Sequence, residues 1–286
     1  MTIRPPARKT IAATLAAAAA CMASAASAGP VDTYYERAFV VAADARCGWF
    51  EPRLDAALSA AAAQARGAAL RSGISETALT ATAGRARSRA RSVSCGDPQL
   101  ATVRARVDGA FSGWLRTPRM TFPGAAKDWT AIRTRSEGIG WKLRQESRVG
   151  ASPVAFGYAG AEAASELMTV VSFVGQSRPY AARIVLRDPA RVPRPWLNGE
   201  GLVPASARAS YWATGVAAAD RSLLTTNSRA GESWRFPATA AAAVERLDPR
   251  EAFAVEFHFR DGTVATARFE AGDFAAARAF LAMGAI

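Results

Sequence analysis

One histidine, His258, and only two cysteines beyond residue 30, Cys47 and Cys95, leave little for acid–base or nucleophilic chemistry. A Ser-His-Asp or Cys-His mechanism would have to use His258. That residue alternates with Phe257 and Phe259, which predicts a strand with His258 on its solvent face beside Glu256 and Arg260. Zinc chemistry lacks ligands, and no G-x-S-x-G elbow, P-loop or dinucleotide-binding glycine pattern follows any apolar run, so neither metal nor cofactor is expected. Arginine is what remains. Arg183 and Arg187 share one face of a strand with Val185; Arg178 precedes that strand, and Arg191 and Arg194 follow it into Pro195-Trp196. Guanidinium groups beside an aromatic at a loop suit phosphate or carboxylate. Arg178, Arg183, Arg187, Arg191, Arg194 and Trp196 are therefore the candidate binding residues. Arg85, Arg87, Arg89 and Arg91 point in successive directions around a helix and read as a solvated face.

The first 28 residues set the compartment. Arg4, Arg8 and Lys9 precede an apolar run over 11–21, and Ala26-Ser27-Ala28 supplies a small-residue cleavage motif before Gly29. That is the pattern of an export signal cleaved after Ala28, with an apolar run too short to span a bilayer. It predicts a periplasmic or secreted protein without a transmembrane segment in its mature chain. Lipidation of Cys21 would call for a large aliphatic residue three positions earlier, where Ala18 stands. Loss of the three basic residues lowers the formal charge from +12 to +9. Outside a cytoplasm the partners for such a charge are anionic envelope polymers, lipid headgroups or a protein, and nucleic acid is not expected. Coding bias in a GC-rich genome also yields an Arg-rich, Lys-poor surface.

Four helices are predicted between residues 31 and 115. The first covers 32–46 with Tyr35, Phe39 and Ala42 on one stripe; the second opens at Pro52 and stops near Gly73. The third follows Ser75 and ends at Cys95-Gly96, and the fourth has Asp97 as N-cap with Pro98 in its first turn. In an antiparallel bundle the first and third helices end on the same side, which is where Cys47 and Cys95 fall. A structural disulfide is expected, since a redox pair would call for C-x-x-C spacing. The fold class is α+β: a disulfide-stapled four-helix domain (30–116), a Pro/Gly connection (117–128), then a domain (129–286) with an antiparallel sheet and short helices. Strands are predicted at 141–148, 154–159, 167–174 and 180–187, the last two joined as a hairpin through Gly175 and Pro179. Residues 188–232 read as a long connection with one helix over 204–214. A second short helix spans 238–247. A hairpin follows, and the turn Arg260-Asp261-Gly262 pairs Phe253 with Phe269, Val255 with Ala267 and Phe257 with Ala265, with Gly262 left-handed. A last helix starts after Asp273 as N-cap and buries Phe274, Ala277 and Leu281.

Two segments resemble known families. Arg144-Gln145-Glu146-Ser147-Arg148 resembles the opening of the catalytic motif of lytic transglycosylases, in which a helical Glu is the general acid. The alternation of Trp141, Leu143 and Gln145 predicts a strand instead, and the family's following Gly-Leu-Met-Gln segment is missing. The C-terminal hairpin and helix, from Ala252 through Val255, Phe257, Phe269, Gly272, Phe274 and Leu281 to Gly284, resemble the ending of exported invasion-associated-locus-B-type proteins. Those are small secreted β-rich proteins not known as enzymes; their β-domain cysteines are absent here. The resemblance implies a non-enzymatic envelope protein that binds an anionic component or a protein partner. The alternatives are an envelope hydrolase using a carboxylate or serine site that no motif reveals, and an assembly factor that binds a partner helix.

Overall fold

The computed structural model describes residues 29–286 apart from 162–163, 176, 198–201 and 226–227; the export segment expected over 1–28 lies outside the described residues. Helices α1 (Pro30–Cys47), α2 (Pro52–Arg71), α3 (Glu76–Ser92) and α4 (Pro98–Leu115) stand where the stop signals place them. Ser75 accepts the Ala78 N–H at 3.2 Å, and Asp97 accepts that of Gln99 at 2.8 Å. Between α1 and α2, Gly48 takes the left-handed conformation (φ +63°), while Asp44 Oδ1 accepts the N–H groups of Trp49 (2.8 Å) and Phe50 (3.0 Å). Cys47 and Cys95 form a disulfide with Cα atoms 5.8 Å apart, which staples the C-terminal ends of α1 and α3. Arg46 reinforces the same junction by donating to the carbonyls of Arg91 (3.0 Å) and Val93.

The remainder forms two antiparallel sheets. The first contains β1 (Arg119–Phe122), β2 (Trp129–Ile132), β3 (Gly140–Val149), β4 (Ser152–Gly160), β5 (Glu166–Val171), β8 (Gly215–Ala218) and β9 (Glu232–Arg235), in the order β1-β2-β3-β4-β5-β9-β8. The second contains β6 (Ala181–Arg187), β7 (Arg208–Trp212), β10 (Ala252–His258) and β11 (Val264–Glu270), in the order β11-β10-β6-β7. Helices α5 (Ala238–Glu245) and α6 (Phe274–Ala282) complete the chain. Ala69 and Leu70 of α2 with Leu79 of α3 form a smaller cluster beside the largest apolar core, which spans both sheets and takes in α2, α4, α5 and α6. Leu58 of α2 and Phe111 of α4 belong to that core with Trp129, Phe156, Phe253, Phe269 and Phe280. Helix α2 packs on α1, α4 and α6, so its apolar stripe is shared between the other helices and the sheets. Arg133 is buried at the same junction and donates to carbonyls at the C-terminal ends of two helices: Trp114 (3.1 Å) in the last turn of α4 and Gly284 (2.7 Å) just beyond α6. A cation there complements both helix dipoles.

The β10–β11 register is Phe253 to Phe269, Val255 to Ala267 and Phe257 to Ala265, with Gly262 at φ +84°, as the three-residue turn predicts. Three expectations are corrected. Strands β5 and β6 form no hairpin: β5 pairs with β4 and β9, whereas β6 pairs with β10 and β7, so the connection through Gly175 and Pro179 crosses between sheets. Residues 208–218 are strands β7 and β8 rather than a helix; Ala209 and Tyr211 pack on the core while Arg208, Ser210 and Trp212 lie on the opposite face. The segment 117–128 contains β1, paired with β2 from Arg119–Ile132 to Phe122–Trp129. Asp273 does precede α6, but its side chain does not cap the helix; it binds Arg71 with both oxygens (2.6 and 3.0 Å).

Candidate functional site

The sequence-predicted arginines are engaged internally, with one exception. Arg187 is 4% exposed and Glu251 1% exposed, and they form a two-pronged ion pair (Nε–Oε1 2.5 Å, Nη2–Oε2 2.7 Å). Glu251 also accepts the backbone N–H groups of Trp196 (3.0 Å) and Asp248 (2.8 Å), while Arg187 Nη1 donates to Val192 O at 2.6 Å. Arg187 and Trp196 are thus brought together by one buried carboxylate that holds the loop after β6 on the sheet. Arg183 donates to Glu256 at 2.7 Å and lies 5.1 Å over the Trp212 ring. Arg178 pairs with Glu232, and Arg191 pairs with Asp188 at 3.2 Å; Arg194 is exposed.

His258 is corrected as well. It lies on the outer face of the second sheet, but only 15% of its side chain is exposed, because the rings of Trp212 (5.3 Å) and Tyr180 (6.4 Å) cover it. Burial lowers its pKa below the usual 6.5, Arg183 adds to that, and Glu256, 3.7 Å away, opposes it. Its buried Nε2 has no hydrogen-bond partner among the described residues. Both expected cysteines are locked in the disulfide. Glu146 lies on β3, exposed, with Arg144 at 3.3 Å, and among the described residues no group of three or more His, Cys, Asp or Glu is placed to hold a metal ion.

The cations without carboxylates lie elsewhere. A groove of about 950 Å³ opens between β3 and β11, lined by Lys127, Arg144, Glu146, Arg148, Thr266 and Arg268 among others. The guanidiniums of Arg148 and Arg268 make no hydrogen bond or ion pair with any described residue. Their placement follows from the strands. Gly150, at φ +55°, closes the tight β3–β4 turn and puts Arg148 near its tip, opposite Pro153. Strand β11 carries Arg268 along the edge of the second sheet. The two strands are clasped at one end: Gln145 Oε1 accepts the Glu270 N–H (2.7 Å), its amide donates to Glu270 O (3.3 Å), and Ser147 Oγ donates to Arg268 O (2.6 Å). Glu270 in turn accepts the N–H groups of Ala125, Ala126 and Lys127, which lets the Lys127 ammonium reach Ser147 Oγ at 3.0 Å. Beyond that clasp the strands diverge and the groove opens. Residues 144–148 resemble a catalytic motif, but the sequence signal that marks the groove is the repetition of Arg at 144 and 148 on one side of a strand.

No protein-family model, curated protein or solved structure matches the chain. The chemistry must be read from the geometry alone. Among the described residues no helix is long and apolar enough to cross a membrane.

Proposed function

We propose that this is an exported, non-enzymatic envelope protein that binds an anionic component in the groove between β3 and β11. The observation that carries the reading is the contrast in pairing. Arg178, Arg183, Arg187 and Arg191 each have a carboxylate, while Arg148 and Arg268 face one groove with none. Arg144 and Lys127 raise the local potential further, against the single carboxylate of Glu146. A guanidinium left without a counter-charge in a concave site gains most from an incoming phosphate or carboxylate. The basic, apolar and small-residue order of the first 28 residues supports export, and so does the disulfide.

The test is co-sedimentation of residues 29–286 with membrane vesicles and with purified cell-wall sacculi across a salt series. Binding that weakens with salt and falls about tenfold in Arg148→Ala/Arg268→Ala is expected, two exposed contacts being worth roughly 1 kcal/mol each at most. Arg183→Ala is the control and leaves binding unchanged. Equal binding by the double variant and the parent would remove the groove from consideration.

A further inference from the structure

The strand that borders the groove is unfinished. Strand β11 pairs with β10 alone and forms the edge of its sheet. Alternation fixes which of its backbone groups look outward. The Glu270 N–H and the Arg268 and Glu270 carbonyls meet β3 side chains, so residues 264 and 266, four and two positions back from Arg268, present their N–H and C=O groups on that same edge. Among the described residues nothing pairs with the outward groups of Val264 and Thr266. On the facing wall, β2 pairs with β3 only at Leu143 and Arg144, so β3 beyond the clasp is open on that side as well. A second hollow of about 640 Å³, lined by Val149, Val264 and Thr266, continues the first past Thr266, so the cleft runs along the edge. Its walls combine the guanidiniums of Arg148 and Arg268 with exposed apolar side chains, Val264 at 47% and Val174 at 58%, and carry one carboxylate in each hollow, Glu146 and Asp261.

Resting on the reading of the groove as an anion site, we propose that its ligand is an extended acidic peptide segment that adds to β11 as a further strand. Backbone pairing with Val264 and Thr266 supplies affinity, and alternate side chains supply selectivity: carboxylates toward Arg148 and Arg268, β-branched apolar residues toward Val149 and Val174. Charge decides against a second copy as the occupant. Pairing β11 with its own twin would bring two sets of Arg148 and Arg268 to one seam.

The probe is an eight-residue peptide alternating aspartate with valine, compared with the same peptide N-methylated at alternate amides and with inorganic polyphosphate. All are titrated against the disulfide-intact chain 29–286. The parent peptide is expected to bind, N-methylation to weaken it at least tenfold, and Val264→Pro, which deletes an outward N–H that no ladder uses and lies outside the lining of the anion groove, to do the same while polyphosphate binding stays unchanged. Polyphosphate binding together with no peptide binding, or with equal binding of the N-methylated peptide, overturns strand addition and leaves the anion site standing. Loss of both ligands overturns the two readings together. Concentration-dependent dimerisation abolished by Val264→Pro would give the edge to a second copy and overturn the peptide.

Discussion

Gly67 lies directly beneath the carboxylate of Asp273: a Cβ at that position would come within 2.0 Å of Oδ1. The missing side chain lets α2 pass close enough to the start of α6 for Arg71, one turn further on, to grip Asp273 with two hydrogen bonds. Burial pushes the Asp273 carboxyl above its ordinary pKa, with Arg71 pulling the other way. In an exposed helix Gly→Ala gains about 1 kcal/mol. Here the sign inverts, and Gly67→Ala is expected to destabilise by about 1–3 kcal/mol through overpacking, read as a lower urea midpoint at constant m-value.

Arg187 and Arg183 occupy the same face of β6, yet their removal should differ sharply in cost. Arg187→Ala strands Glu251 in the interior and is expected to cost about 3–5 kcal/mol. Arg183→Ala leaves Glu256 with Arg208 at 3.7 Å and should cost about 1 kcal/mol or less. Equilibrium unfolding of the two variants side by side checks the contrast, and equal losses would contradict it.

Separating Cys47 from Cys95 releases a crosslink between residues 48 positions apart. On the chain-entropy account the Cys47→Ser/Cys95→Ser variant is less stable by about 4 kcal/mol. Reductant should lower the Tm of the parent and leave that of the variant where it is.

Acid should weaken the fold through His258. Its pKa in the folded chain lies below the unfolded value near 6.5, so the unfolded chain takes up the proton first. The neutral ring's contribution is therefore fully present above pH 6.5 and is lost as pH falls from there through the depressed folded value. Urea midpoints measured from pH 8 down to pH 5 should show that decline, and His258→Gln should flatten it; an unchanged slope in the variant would assign the decline to other groups.

The sequence shows local order far better than it shows partners. The β10–β11 register was legible because Phe253, Val255 and Phe257 alternate strictly and Gly262 supplies the only turn that matches them to Phe269, Ala267 and Ala265. Leu167 to Val171 and Ile184 to Leu186 are buried on both faces, so no alternation says which sheet each joins, and Gly175 with Pro179 looks the same in a hairpin as in a crossing. Residues 204–214 mimic a helix because Pro204 and Gly215 stand where helix boundaries would. The arginines illustrate the limit most clearly. Strand periodicity puts Arg183 and Arg187 on one face correctly, but the carboxylates that neutralise them are 73 and 64 positions away. The groove residues Lys127, Arg148 and Arg268 come from three separate segments, and only the divergence of β3 from β11 unites them.

The seating of α2 against α6 also dictates an order of events. Arg71 and Asp273 are 202 positions apart, so a chain emerging N-terminus first exposes the apolar stripe of α2 until its last partner arrives. At about 5–20 residues per second, that interval is roughly 10–40 seconds. During it the disulfide can tie α1 to α3, but the core stays open, so the nascent chain remains vulnerable to aggregation almost to its final helix.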